Sequence, residues 1–243
     1  MAVSWRKDGI FGFVVLNNPP VNAVNREIRQ GLLQAVDWAE GQGLERVILS
    51  GAGSCFAAGA DAKEFDRAPE APHLPDVLYH IEICTAPWIA VLHGAVLGGG
   101  AELALACCYR VARSDASVGF PEVILGLVPG AGGTQRLPAL IGKGKAMEMV
   151  LTGDMIGAEK ALQIGLVNQV VPREELLEEA VSLAERMMKN APNSLKNAIK
   201  AINAADGTSK GFQEEAIQFS NCFVNSDFKE GVSAFLEKRK PEF

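Results

Sequence analysis

Histidine and tyrosine are scarce in this 243-residue chain, at three and two residues, and the histidines His73, His80 and His93 are scattered along it. The five cysteines, Cys55, Cys84, Cys107, Cys108 and Cys222, offer no zinc-binding spacing, since the one close pair is adjacent. No metal site is therefore expected. Five is an odd number and most of these cysteines sit in apolar contexts, which reads as buried thiols in a reducing compartment. A basic excess is also missing: 23 Lys and Arg stand against 29 Asp and Glu, a net charge of −6, which argues against nucleic-acid binding through a general basic surface. The longest apolar stretches, residues 88–96 and 101–108, are divided by glycines, and the second carries Glu102. Neither is long enough to span a bilayer. The opening residues MAVSWRKDG contain no apolar core of a secretory leader and no Arg- and Ser-rich amphipathic segment, so a soluble chain in the cytoplasm is the expectation.

What is present suits a large folded core. Hydrophobic residues make up 48% of a chain long enough for one large domain or two small ones. A strand is expected at residues 10–16, closed by Asn17-Asn18-Pro19-Pro20. A helix follows over 27–40, with Ile28, Leu32, Ala35, Val36 and Ala39 on one face. A buried strand at 46–50 leads into Gly51-Ala52-Gly53, then a helix near 77–84, a strand at 88–92 and a helix from Ala101 to Cys107. Apolar strands running into small-residue loops suggest stacked strand–loop–helix units, of irregular spacing. An amphipathic helix spans about 174–189, with Leu177, Ala180, Val181, Ala184 and Met188 on its stripe. Beyond Pro192 the pattern is almost wholly helical, and Ile217, Phe219, Phe223, Phe228, Phe235 and Phe243 gather there as core or as a subunit contact.

Gly98-Gly99-Gly100 precedes Ala101-Glu102, and Glu122 follows twenty positions later behind Val118, Gly119, Phe120 and Pro121. Glycines let backbone approach a ligand closely, and a helix starting there aims its first N–H groups at it, a place suited to a developing oxyanion. Taken singly, the glycines read as a turn, Glu102 as a first-turn residue favoured by the helix dipole, and Glu122 as a surface residue. Together, two carboxylates embedded in apolar sequence point to acid–base chemistry on a carbonyl compound.

Two further glycine loops bear on ligands. After the strand at 46–50 a dinucleotide fingerprint would need glycine where Phe56 stands, so that reading fails. The segment Phe56-Ala57-Ala58-Gly59-Ala60-Asp61 by itself reads as a tight turn before a helix at Ala62. In Pro129-Gly130-Ala131-Gly132-Gly133-Thr134-Gln135-Arg136, Thr134 is the expected helix cap, and no lysine stands at the spacing of a phosphate loop.

These blocks together resemble the crotonase family, and its enoyl-CoA hydratases most. The resemblance spans almost the whole chain and is carried by FAAGAD at 56–61, GAVLGGGAELALACCYRVAR at 94–113, PEVILGLVPGAGGTQRLP at 121–138, AMEMVLTGD at 146–154 and the tail DFKEGVSAFLEKRKPEF. It implies an α/β fold, a spiral of strand-strand-helix repeats over 1–191, followed by a helical oligomerisation region at 192–243 that builds a homotrimer or a hexamer as a dimer of trimers. It implies an acyl-CoA thioester as substrate, with coenzyme A entering as part of it and no separate cofactor.

Carried over position by position, the resemblance makes the N–H groups of Ala60 and Gly99 an oxyanion hole for the thioester oxygen. It places Ala23, Ala58, Asp61 and Gly98 among the substrate-binding residues, Ala58 through its carbonyl facing the adenine. It has Glu102 activate a water for attack on C3 while Glu122 delivers a proton to C2. The implied reaction is the reversible hydration of a trans-2-enoyl-CoA to a 3-hydroxyacyl-CoA, as in fatty-acid β-oxidation. Isomerases of the family need only the carboxylate at Glu122, so retention of both favours hydration, with isomerisation the alternative. The family's dehalogenases use an aspartate that Leu127-Val128-Pro129-Gly130 does not supply. Ala62 stands where bulkier aliphatic residues are common. A non-catalytic, RNA-associated relative is disfavoured by the intact glutamate pair and by Lys189, Lys196, Lys200 and Lys210, which are too sparse for a basic comb.

Overall fold

The computed structural model describes residues 1–66, 68, 70–205 and 207–243. The chain divides into two compact units, Met1–Ala180 and Val181–Phe243.

The first unit begins with β1 (Val3–Asp8) and β2 (Phe11–Leu16), an antiparallel pair. Helix α1 (Arg26–Gly41) then returns the chain to β3 (Arg46–Gly51), which lies parallel to β2. Asn25 caps α1, its side chain accepting from the Ile28 N–H at 3.0 Å, and the expected apolar face is buried. The next crossover carries α2 (Leu74–Ile83) and leads to β4 (Trp88–Leu92), every residue of which is buried. A strand with helices on both sides reads as such a continuous apolar run.

From β4 the chain steps sideways into β5 (Ala95–Leu97), then forms α3 (Gly99–Ala106) and returns as β6 (Tyr109–Arg113), parallel to β4. It repeats the sidestep with β7 (Ser117–Gly119), followed by α4 (Gly133–Ile141), α5 (Lys143–Thr152), β8 (Met155–Gly157), α6 (Ala158–Gln163) and β9 (Gln169–Val171). The result is a six-stranded sheet in the order β1-β2-β3-β4-β6-β9 and a small sheet β5-β7-β8. Each sidestep is one strand-strand-helix turn of the expected spiral.

The small sheet positions the site. Ala57 bridges Val96 in parallel, and Val96 pairs with Val118 of β7. Ala60 and Gly99 each lie three residues beyond the first of these pairs, so one register carries both to the same level. Three expectations change in detail. Helix α3 begins at Gly99, two residues earlier than its composition suggests, because Gly98 takes the cap position. The helix expected at Ala62 is one turn of 3-10 helix, Ala62–Glu64. Thr134 is not a cap: Gly132 occupies the cap position of α4 without a side-chain bond, and Thr134 lies within the helix, its hydroxyl accepting from Gln135 Nε2 at 3.0 Å.

Helix α7 (Leu176–Met188) crosses the division between the units. Its buried residues are Leu176, Ala180, Leu183 and Ala184, whereas Leu177, expected on the apolar stripe, is exposed. The second unit continues with α8 (Pro192–Asn203), α9 (Ser209–Cys222) and α10 (Ser226–Glu237). The Asn193 backbone N–H and its Nδ2 both donate to Asp227 Oδ2, at 3.0 and 3.1 Å, joining α8 to α10. Phe223 packs against Phe219 and Phe228 with ring centroids 5.1 and 4.8 Å apart. Phe219 and Phe235 remain 65% and 82% exposed.

Among the described residues no helix is long and apolar enough to cross a membrane, and no group of three or more metal-ligating side chains is placed to hold an ion. Cys55, Cys84 and Cys107 are buried, while Cys108 is exposed and Cys222 half-buried.

Candidate active site

The segment 56–60 is held from two sides by backbone hydrogen bonds. On one side Phe56 N–H donates to His93 O at 2.8 Å, Ala57 N–H to Ala95 O at 3.2 Å, and Leu97 N–H to Ala57 O at 3.0 Å. On the other, Ala58 N–H donates to Val21 O at 3.0 Å and Val24 N–H to Gly59 O at 2.8 Å. Neither the Ala60 nor the Gly99 N–H donates a hydrogen bond among the described residues. Gly99 is the first residue of α3, whose opening N–H groups have no intrahelical acceptor. A methyl group on Gly99 would lie 3.6 Å from the Ala60 nitrogen, so the two free N–H groups belong to backbones in near contact.

Glu102, one turn into α3, is 2% exposed. Its Oε1 accepts from the Ala131 N–H at 2.7 Å and the Gly133 N–H at 2.8 Å. Gly133 has to be glycine for this: a methyl group there would sit 2.9 Å from that same oxygen. Burial pushes the Glu102 carboxyl above its ordinary range, partly offset by the two N–H donors and by the positive charge of Arg136. Arg136 folds back to donate to Ala131 O at 3.0 Å and forms a two-pronged pair with Glu82 of α2, at 3.2 and 2.7 Å.

Glu122 sits in a 3-10 turn, Pro121–Leu125, that follows β7. Its Oε2 is buried and has no hydrogen-bond partner among the described residues. Burial raises its pKa, and the nearby charge of Glu102 raises it further. The pair therefore combines one carboxylate with two donors to hold a negative charge and one carboxyl with an oxygen that has none, an asymmetry that separates the proton affinities of two neighbouring acids.

The remaining candidate residues lie around this centre. Gly98 is buried between Gly119, whose carbonyl accepts its N–H at 3.0 Å, and Glu122. Asp61 caps the Ala62–Glu64 turn by accepting from the Lys63 N–H at 3.1 Å. Ala23 is half-buried, and its carbonyl accepts from Asn18 Nδ2 at 2.7 Å. A cavity of about 880 Å³ opens here, with Ala60, Asp61, Leu74, Leu125 and Leu127 in its wall. Neither glutamate side chain lines it. Unmarked in the sequence are the donors of Ala131 and Gly133, the Arg136–Glu82 pair, and Leu74, whose Cδ2 lies 3.0 Å from where a Gly99 methyl would be. Gly130, Gly132 and Gly133 were the one available signal, since they mark close backbone approach without saying to what.

Known proteins match this chain over its whole length. The family model described as enoyl-CoA hydratase/isomerase matches residues 7–243. A probable enoyl-CoA hydratase of Bacillus subtilis is 38% identical over 253 residues, covering 100% of this chain and 98% of that protein. A crotonyl-CoA hydratase of Syntrophomonas wolfei is also 38% identical, with 98% and 95% covered. The crystal structure of an enoyl-CoA hydratase from Bacillus anthracis superposes with a TM-score of 0.91 at 35% identity, covering 100% of this chain and 99% of that one. The chain thus has relatives along its full length in both sequence and fold, and it belongs to the enoyl-CoA hydratase/isomerase family.

Proposed function

We propose that this protein hydrates a trans-2-enoyl-CoA to the 3-hydroxyacyl-CoA, reversibly, with Glu102 and Glu122 acting on one water and the Ala60 and Gly99 N–H groups receiving the thioester oxygen. The observation that carries the reading is the glutamate pair: Glu102 is buried and held by two N–H groups, while Glu122 is half-buried with a buried oxygen that has no partner among the described residues. As charge develops on the thioester oxygen, two oriented N–H groups stabilise the enolate without reorganisation. Glu102 takes a proton from the water as its oxygen bonds to C3. Glu122 gives its proton to C2 and is left as the carboxylate. A proton passed from Glu102 to Glu122 through solvent restores the starting state. Ala23, Ala58, Asp61 and Gly98 contribute to substrate binding in the same reading, and coenzyme A arrives with the substrate.

The test is loss of the conjugated enoyl-thioester absorbance across short, medium and long trans-2-enoyl-CoA substrates, with the product identified as the 3-hydroxyacyl-CoA. Absence of turnover on every chain length overturns the reading. The same reading includes action in the cytoplasm at the hydration step of β-oxidation, supported by an odd number of cysteines of which three are buried. It also includes a homotrimer or a dimer of trimers, supported by large apolar side chains left in water: Phe212, Phe235 and Leu236 in the second unit, and Ile124, Leu151 and Met155 in the first. Light scattering giving a monomer at micromolar concentration contradicts the assembly.

A further inference from the structure

Asn22 is 2% exposed and holds a backbone φ of +53°, a conformation that non-glycine residues adopt rarely and asparagine more readily than most. Its side chain is fully committed. Nδ2 donates to Ala52 O at 2.8 Å and Cys55 O at 2.8 Å, and reaches Phe56 O at 3.2 Å. Oδ1 accepts from the Asn18 N–H at 2.9 Å. An amide group has two hydrogens, so three converging carbonyls share them, and no other orientation of the amide satisfies this arrangement. Without the donor, three carbonyl dipoles would face one another with nothing between them.

Those carbonyls belong to the loop that becomes the segment 56–60. The residues flanking Asn22 grip the far end of that segment directly, through Val21 O to the Ala58 N–H, and through the Val24 N–H to Gly59 O. Val24 also bridges Ala60 itself. One buried side chain thus ties down the start of the segment while its own backbone neighbours tie down the end.

We infer that Asn22 is a positioning residue for the oxyanion hole: through Ala52, Cys55 and Phe56 it fixes where the Ala60 N–H stands relative to that of Gly99. This rests on the proposed roles of Ala60 and Gly99. Asn22 touches no reacting atom in this account; its effect reaches the substrate only through Ala60. Losing one oxyanion donor costs about 10²- to 10³-fold in kcat, so displacing one costs about tenfold to a hundredfold, with KM changed by less than about threefold.

Two variants separate the contributions. Asn22→Gly keeps the positive φ and removes the whole side chain. Asn22→Asp keeps an acceptor for the Asn18 N–H and removes the donor to the three carbonyls. Each is titrated with 3-phenylpropenoyl-CoA, a conjugated thioester whose absorbance moves to longer wavelength when donors polarise its carbonyl. The expected result is a shift with wild type and with Glu122→Gln, and a reduced shift with both Asn22 variants at comparable affinity, alongside the fall in kcat. A shift in wild type that both Asn22 variants retain, or kcat within about twofold of wild type, overturns the role of Asn22 alone. No shift with wild type overturns the oxyanion hole, and this inference with it.

Discussion

A methyl group added to Gly98 would stand 3.0 Å from Oε1 of Glu122. Gly98 also takes φ +49° and ψ −123°, a region that residues with a side chain avoid. The glycine therefore serves both the backbone turn into α3 and the placement of the carboxyl.

Gly98→Ala is expected to cost about 1–3 kcal/mol of stability from the backbone alone. It should also lower kcat by tenfold or more, because Glu122 must move to admit the methyl group. Thermal melting and steady-state kinetics on the purified variant check both. Wild-type kcat in a folded Gly98→Ala protein would show that Glu122 needs no fixed position.

Glu122 should make stability depend on pH in a specific direction. Burial raises its folded pKa above the unfolded value, so its contribution is fully present below the unfolded pKa and is lost as pH rises through the folded one. Glu122→Gln has no proton to lose. Its melting temperature should exceed that of wild type at pH 8, and the difference should close near pH 4. A variant less stable than wild type at pH 8 would mean that the carboxylate finds stabilising partners when charged.

Arg136 should set the acid limb of the rate profile. Its charge lowers the pKa of Glu102, against burial, and its side chain braces the loop that donates to Glu102. Arg136→Leu is expected to move the acid limb of kcat/KM upward and to lower the plateau. Glu82→Gln, which keeps the arginine but neutralises its partner, should move the limb the other way. Profiles that superimpose on wild type would remove Arg136 from the electrostatics of the site.

Much of this was legible in the sequence where local pattern and tertiary demand agree. Trp88–Leu92 reads as a buried strand because every position faces apolar neighbours, and α1 announces its buried face by the spacing of Ile28, Leu32 and Ala35. The glutamate pair and the glycines stood out through their chemistry. What the chain does not announce is which backbone meets which. The bridges of Ala57 to Val96 and Val24 to Ala60 join residues more than thirty positions apart through loops of small side chains, which carry no periodic signal. Thr134 has the composition of a cap, but Gly132 with φ +100° takes the cap position and leaves no role for a hydroxyl. The N–H groups of Ala131 and Gly133 that hold Glu102 belong to the backbone, so no residue type marks them.

The shared-water mechanism is tested most directly by comparing wild type, Glu102→Gln and Glu122→Gln for hydration of trans-2-butenoyl-CoA in water enriched in heavy oxygen, alongside the affinity of each for the substrate. The expected result is label at C3 of the wild-type product, and kcat lowered about 10²- to 10⁴-fold or more in each variant with binding preserved. Near-normal hydration by either variant, or a wild-type product without label at C3, would contradict it.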